Sequence, residues 1–102
     1  MKQPSNRQLE KHIREHSKES WNVTITVHAR QRMKLRKIND PMVYEVLELG
    51  SMSMQPEPDI RHDGLKCRMQ RFVAGIQVAV VVAVQYPEPH LIVITVIDIE
   101  HD

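Results

Sequence analysis

Val78 to Val84 reads Val-Ala-Val-Val-Val-Ala-Val, and no other stretch of the chain constrains the fold as tightly. The run is too short to span a membrane, which takes about 20 apolar residues. Its branched side chains suit a pleated strand. A strand that is apolar at every position has no face to offer to water, so both of its faces must be covered. Turn residues bracket it, Gly75-Ile76 on one side and Pro87-Glu88-Pro89-His90 on the other. Apolar-rich stretches lie beyond each turn, Leu65 to Ala74 and Leu91 to Ile99. Residues 65–99 are therefore predicted to form three sequential antiparallel strands, with Val78 to Val84 central.

The first half has helical punctuation. Ser5 followed by Gln8 predicts a capping box that opens a helix to about Glu19. Its apolar side is only Leu9 and Ile13, with His12 and His16 beside them, so it should dock peripherally and be the least stable element. Val23 to Val27 alternates apolar and Thr residues as a short strand does. A short helix follows from His28. Asp40 as cap and Pro41 in the first turn start another, which should end on a left-handed Gly50. Ser51 to Gln55 alternates Ser and Met, and Pro56-Glu57-Pro58-Asp59 excludes regular structure.

The expected architecture is α+β. Residues 1–21 form an N-terminal helical extension, and residues 22–102 form a single domain of two or three helices packed on a curved antiparallel β-meander. The helices cover one face of the sheet. The other needs the N-terminal helix or a second copy of the chain, which makes a homodimer an expected partner.

The chain has 102 residues, room for one domain. Its single cysteine, Cys67, rules out an internal disulfide and a multi-thiolate zinc site. With no apolar leader and no membrane span, the expected location is cytoplasmic. Four aromatic residues are too few for a surface of stacked bases. The net charge of +1 conceals a division: residues 1–40 hold ten Lys/Arg against four acids, and residues 41–102 hold four against nine. Such a molecule can set a basic face on nucleic acid or on an acidic protein.

The chemistry-bearing residues cluster on the predicted second helix. His28, Arg32 and Arg36 recur at i, i+4 and i+8, which aligns them on one helix face. Cleaving a phosphodiester without a metal takes a proton carrier and cations that stabilise the phosphorane, and an imidazole with two guanidinium groups meets that need. The structural alternative is that His28 caps the helix while the arginines pair with Glu45, Glu48 or Asp59. Arg30, Lys34 and Lys37 complete a run of five cations without an acid, a plausible phosphate footprint or a solvated face. Lys66, Arg68 and Gln70 share one strand face, and Cys67, Met69 and Arg71 share the other. Arg68 joins the His28 group if its face is the helical one. The alternative is a salt bridge across the meander. His12 and His16 lack a third metal ligand. The dipeptides His62-Asp63 and His101-Asp102 read as chance rather than as metal ligands. Cys67 should be a buried, inert thiol.

His28-Ala29-Arg30-Gln31-Arg32-Met33, Arg36-Lys37-Ile38, the helix Val43 to Gly50 and the strand Val93-Ile94-Thr95 together resemble a small bacterial family of unknown function, over residues 22–97. In element order that family is similar to RelE- and BrnT-type toxins, compact ribonucleases paired with antitoxins. The resemblance implies a toxin-like protein that binds or cleaves RNA without a metal or other cofactor, with RNA or a ribosome and an antitoxin protein as partners. Its implied site is His28, Arg32, Arg36 and Arg68, with Arg30, Lys34 and Lys37 on nucleic acid. The last strand departs from those toxins, offering only Thr95 and Asp98, which points to RNA binding more than to cleavage. The rival reading is a non-enzymatic, homodimeric interaction module.

Overall fold

In the computed structural model, which describes residues 3–102, each α-helix starts where a small polar side chain takes up a free backbone N–H. For α1 (Asn6–His16), Ser5 Oγ accepts from Gln8 N at 3.1 Å while Gln8 Oε1 accepts from Ser5 N at 2.8 Å. For α2 (Val27–Arg36), Thr26 Oγ1 accepts from Ala29 N at 3.1 Å. For α3 (Asp40–Leu49) the cap is Asn39, not the expected Asp40: Asn39 Oδ1 accepts from Met42 N at 3.0 Å. Asp40 lies in the first turn, where its charge suits the helix dipole. The left-handed stop also moves. It falls on Lys37 at the end of α2 (φ 57°), where Ile38 N donates to Met33 O at 2.8 Å. Gly50 is extended (φ −76°, ψ 178°), and it must be glycine for space: a Cβ there would lie 2.4 Å from Val46 O and 2.8 Å from Gln70 O.

The six strands are β1 (Val23–Ile25), β2 (Ser51–Met52), β3 (Glu57–Pro58), β4 (Leu65–Val73), β5 (Ile76–Val84) and β6 (Leu91–Asp98). They are ordered β1-β6-β5-β4-β2, with β3 also paired to β4. The three long strands are antiparallel neighbours with β5 between the other two, as the apolar run predicts. Their first turn is Ala74-Gly75, one residue earlier than expected. Both residues have positive φ (50° and 84°), as a type I′ hairpin requires. The sheet is mixed rather than a purely antiparallel meander, because β1 pairs in parallel with β6. Parallel neighbours need a long crossover, and residues 26–90 supply it. The Pro56–Asp59 stretch is not wholly irregular. It holds β3, where Pro58 is tolerated because the pairing is at a sheet edge.

The core lies on one face of the sheet. Val78, Val80, Val82 and Val84 meet Cys67, Met69 and Val73 of β4, and Ala29, Met33, Val43, Val46 and Leu47 from α2 and α3. Leu9 and Ile13 of α1 belong to the same core at 0% exposure, so α1 is not peripheral. It also fastens the sheet margin. Glu10 Oε2 accepts from Met52 N at 2.9 Å, and the Arg14 Nε and Nη2 atoms donate to Gly50 O at 2.9 and 2.6 Å.

The second face of the sheet bears no helix among the described residues, so α1 does not cover it as one expectation required. That face closes partly by itself. Ala79 and Ala83 are buried because each lies between longer cross-strand partners, Gln70 and Ile97 for one, Lys66 and Ile92 for the other. This relaxes the requirement for a second copy.

Candidate functional site

β6 carries one extra residue. Val82 pairs with Val93 and Val81 with Thr95, leaving Ile94 as a bulge between them. A bulge resets the alternation of side chains. Leu91 and Val93, then Val96, face the helices, while Thr95 turns to the open face. Arg68, Val81 and Thr95 thereby form one row across three strands, spaced about 4.8 Å from strand to strand.

α2 brings His28 to the end of this row. β1 stops at Ile25, so beyond Val93 the side of β6 away from β5 has no strand neighbour, and the start of α2 takes that place. Thr26 Oγ1 donates to Val93 O at 2.9 Å, with Ile94 O at 3.2 Å. His28, on the first turn, reaches Thr95 Oγ1 with its Nε2 at 3.3 Å. Because Thr26 caps the helix, His28 has no capping role.

Two shallow grooves meet at Ile94. One, of about 240 Å³, is lined by Lys66, Arg68, Thr95, Gln55 and Glu57. The other, of about 470 Å³, is lined by His28, Thr26, Arg61 and His62. Arg68 therefore faces away from the helices, and the helical row is Cys67, Met69 and Arg71. Arg71 pairs with Glu45 at 3.1 Å, and Lys66 reaches Glu57 at 3.7 Å. Arg68 Nε is shut away from solvent and has no hydrogen-bond partner among the described residues.

The other expected site residues are divided. Arg32 Nη2 lies 2.5 Å from Asp102 Oδ2 and Arg36 Nε 2.7 Å from Asp102 Oδ1, so the two hold one carboxylate. The Arg36 N–H is not directed along that contact, which is ionic rather than hydrogen-bonded. Burial of Asp102 opposes its ionisation. The Arg32 hydrogen bond and the Arg36 charge outweigh it and hold the carboxyl below its usual range. Arg30 pairs with Asp40 at 2.5 Å, and that hydrogen bond raises its pKa. These partners replace the expected Glu45, Glu48 and Asp59. Lys34 and Lys37 are exposed.

The remaining titratable groups are separately engaged. His12 donates from Nε2 to Glu88 O at 2.7 Å, and burial lowers its pKa. His101 meets Asp98 at 3.0 Å, a hydrogen bond that raises its pKa. Burial pushes the Cys67 thiol up to about 11, far from a nucleophile's range. Among the described residues no three His, Cys, Asp or Glu side chains converge as metal ligands, and no helix is long and apolar enough to cross a membrane.

Arg61, His62 and Thr95 are groove residues that sequence reasoning did not assign to the site. A signal existed for His62, which stands three residues after Asp59, the spacing at which an aspartate holds a turn. Asp59 Oδ1 accepts from Arg61 N and His62 N at 3.0 and 3.3 Å, and Asp59 Oδ2 lies 3.1 Å from His62 Nδ1. Burial raises the Asp59 pKa, but these bonds outweigh it and leave the carboxyl below its usual range.

The pattern of one family, described as Domain of unknown function (DUF4258), matches residues 25–98. The chain belongs to the DUF4258 family. The match takes in β1 from Ile25, α2, α3 and the sheet to Asp98, and so includes every groove residue named above. In this DUF4258 chain α1 lies outside the match yet inside the core. No curated protein and no solved structure matches the chain.

Proposed function

We propose that this DUF4258 chain is a toxin-like protein of the RelE/BrnT type that binds RNA across the open face of its sheet and cleaves it at the His28 end without a metal. The observation that carries this reading is Arg68. Its guanidinium lies in a groove on an uncovered sheet face, with a desolvated Nε that no group among the described residues satisfies. A buried, unpaired donor is costly, and a phosphate oxygen is the acceptor a guanidinium suits best. Lys66 adds charge beside it, and the exposed Phe72 follows two residues beyond Gln70 on the same strand face. His28, joined to that row through Thr95, is an imidazole free to move a proton. Arg32 and Arg36 would have to exchange Asp102 for a phosphate before acting, whereas Arg68 needs no such exchange. Lys34 and Lys37 extend the footprint outward.

The test is binding of a labelled single-stranded RNA over a range of salt. Affinity should fall as salt rises, and Arg68→Gln should flatten the log–log slope by about 0.7. His28→Ala should abolish cleavage and growth arrest while leaving the melting temperature unchanged, since Thr26 holds the cap. No RNA binding even at low salt overturns the reading.

One observation favours the second reading, a homodimeric interaction module. Ile92, Ile94, Ile97 and Val81 make a half-buried apolar stripe beside the basic row. Light scattering that shows a dimer, together with absent RNA binding, would establish it.

A further inference from the structure

We infer that His62, held by Asp59, is a second proton carrier facing His28 across the same groove, and that the pair acts on the 2′-hydroxyl of RNA. This rests on the RNA reading above. The carboxylate can only accept, so His62 presents Nδ1–H to Asp59 and leaves Nε2 for another partner. Asp59 is fixed in turn by two backbone N–H groups, which makes the ring direction a property of the loop. Gln85 Nε2 donates to the His62 carbonyl at 3.3 Å and ties that loop to the end of β5. On the other wall, Thr95 fixes the ring of His28. The groove between is about 470 Å³, and Arg61 stands in it with both imidazoles.

Two imidazoles and a cation lining one groove match the needs of transphosphorylation. His62, oriented by Asp59 with Nε2 left open, takes the proton of the ribose 2′-hydroxyl. The 2′-oxygen bonds to phosphorus, and the bond from phosphorus to the 5′-oxygen breaks. His28, as imidazolium, gives its proton to that leaving oxygen. The products are a 2′,3′-cyclic phosphate and a 5′-hydroxyl, with nothing oxidised or reduced. Arg61 and Arg68 face the charge that builds on the phosphorane. Asp59 is a positioning residue. The charged groups that line the two grooves are Arg61 from the loop, Lys66 and Arg68 from β4, and Glu57 from β3, and Asp59 meets His62 at Nδ1.

The experiment uses the full chain and a short RNA, alongside the same RNA with a 2′-deoxy nucleotide at the cut site. Wild-type protein should yield cyclic-phosphate ends, leave the deoxy substrate intact, and show a bell-shaped dependence of kcat on pH. His62→Gln should lower kcat by about 10²–10⁴-fold, erase one limb of the bell, and keep both RNA affinity and melting temperature. Asp59→Asn retains an acceptor for the loop N–H groups but loses the charge. It should move the limb assigned to His62 and lower kcat with little change in KM. Two outcomes overturn the inference while the RNA reading survives: cleavage of the deoxy substrate, or an undiminished His62→Gln enzyme. RNA binding with no cleavage by wild type overturns the inference and leaves only the binding part of that reading. Absence of RNA binding removes both.

Discussion

Truncating the buried face of α1 should cost this chain much of its stability, although the helix lies outside the family match. Leu9 and Ile13 are each 0% exposed within the main core. Fully burying such a side chain contributes about 1.5–3 kcal/mol, and cutting it to Ala adds a cavity term that brings the loss to about 2–5 kcal/mol. Against a total of about 5–15 kcal/mol for a domain of this size, one substitution removes a large share. Leu9→Ala and Ile13→Ala should each lower the urea midpoint by a corresponding amount, followed by far-ultraviolet circular dichroism. The pair sits one turn apart, so the double variant should depart from additivity. A helix docked only at the rim would behave like a surface element, with losses within about 0.5 kcal/mol. If both single variants lose less than about 1 kcal/mol, the packing argument for α1 is refuted.

Three further outcomes follow from local geometry. The His12 pKa is depressed by burial, so the unfolded chain binds more protons near pH 6.5 than the folded one; the stability this group gives is present above 6.5 and lost as pH falls, and His12→Gln should flatten that part of a stability–pH curve. His101 is shifted the other way and is unaffected by that substitution. Ala74 holds φ 50° at no benefit to its side chain, so Ala74→Gly should raise stability by about 1 kcal/mol, read as a higher melting temperature. Gly50→Ala forces a Cβ against two backbone carbonyls and should cost about 1–3 kcal/mol by urea denaturation.

What could be read from the sequence was what is local. The Val78–Val84 run and the Ser5 cap each depend on residues close together in the chain and stand where expected, and the first turn falls only one residue early, at Ala74-Gly75. The parallel pairing of β1 with β6 joins residues nearly 70 positions apart, and no local periodicity records it. The burial of α1 has the same origin: two apolar residues look thin on a helix but suffice when they enter a core built by other elements. The candidate site was half legible. His28 stands in the groove, but Arg32 and Arg36 meet Asp102, a partner that spacing could not single out. Arg68 reached the site from the opposite sheet face because a single bulged residue turned Thr95 outward. His62 was passed over because it was weighed against Asp63, its neighbour in sequence, while its partner in space is Asp59.

The position of β5 also bears on how the chain survives its own synthesis. A seven-residue stretch of Val and Ala, without charge or proline, is the kind of segment that stacks with copies of itself into amyloid-like ladders. In the finished protein it is the strand farthest from either edge, and the edges are strands of only two or three residues. On the ribosome β5 emerges before β6, so for a time one flank is bare. That interval, rather than any weakness of the native state, is when crowding by neighbouring nascent chains would divert it, and rapid arrival of β6 is its safeguard.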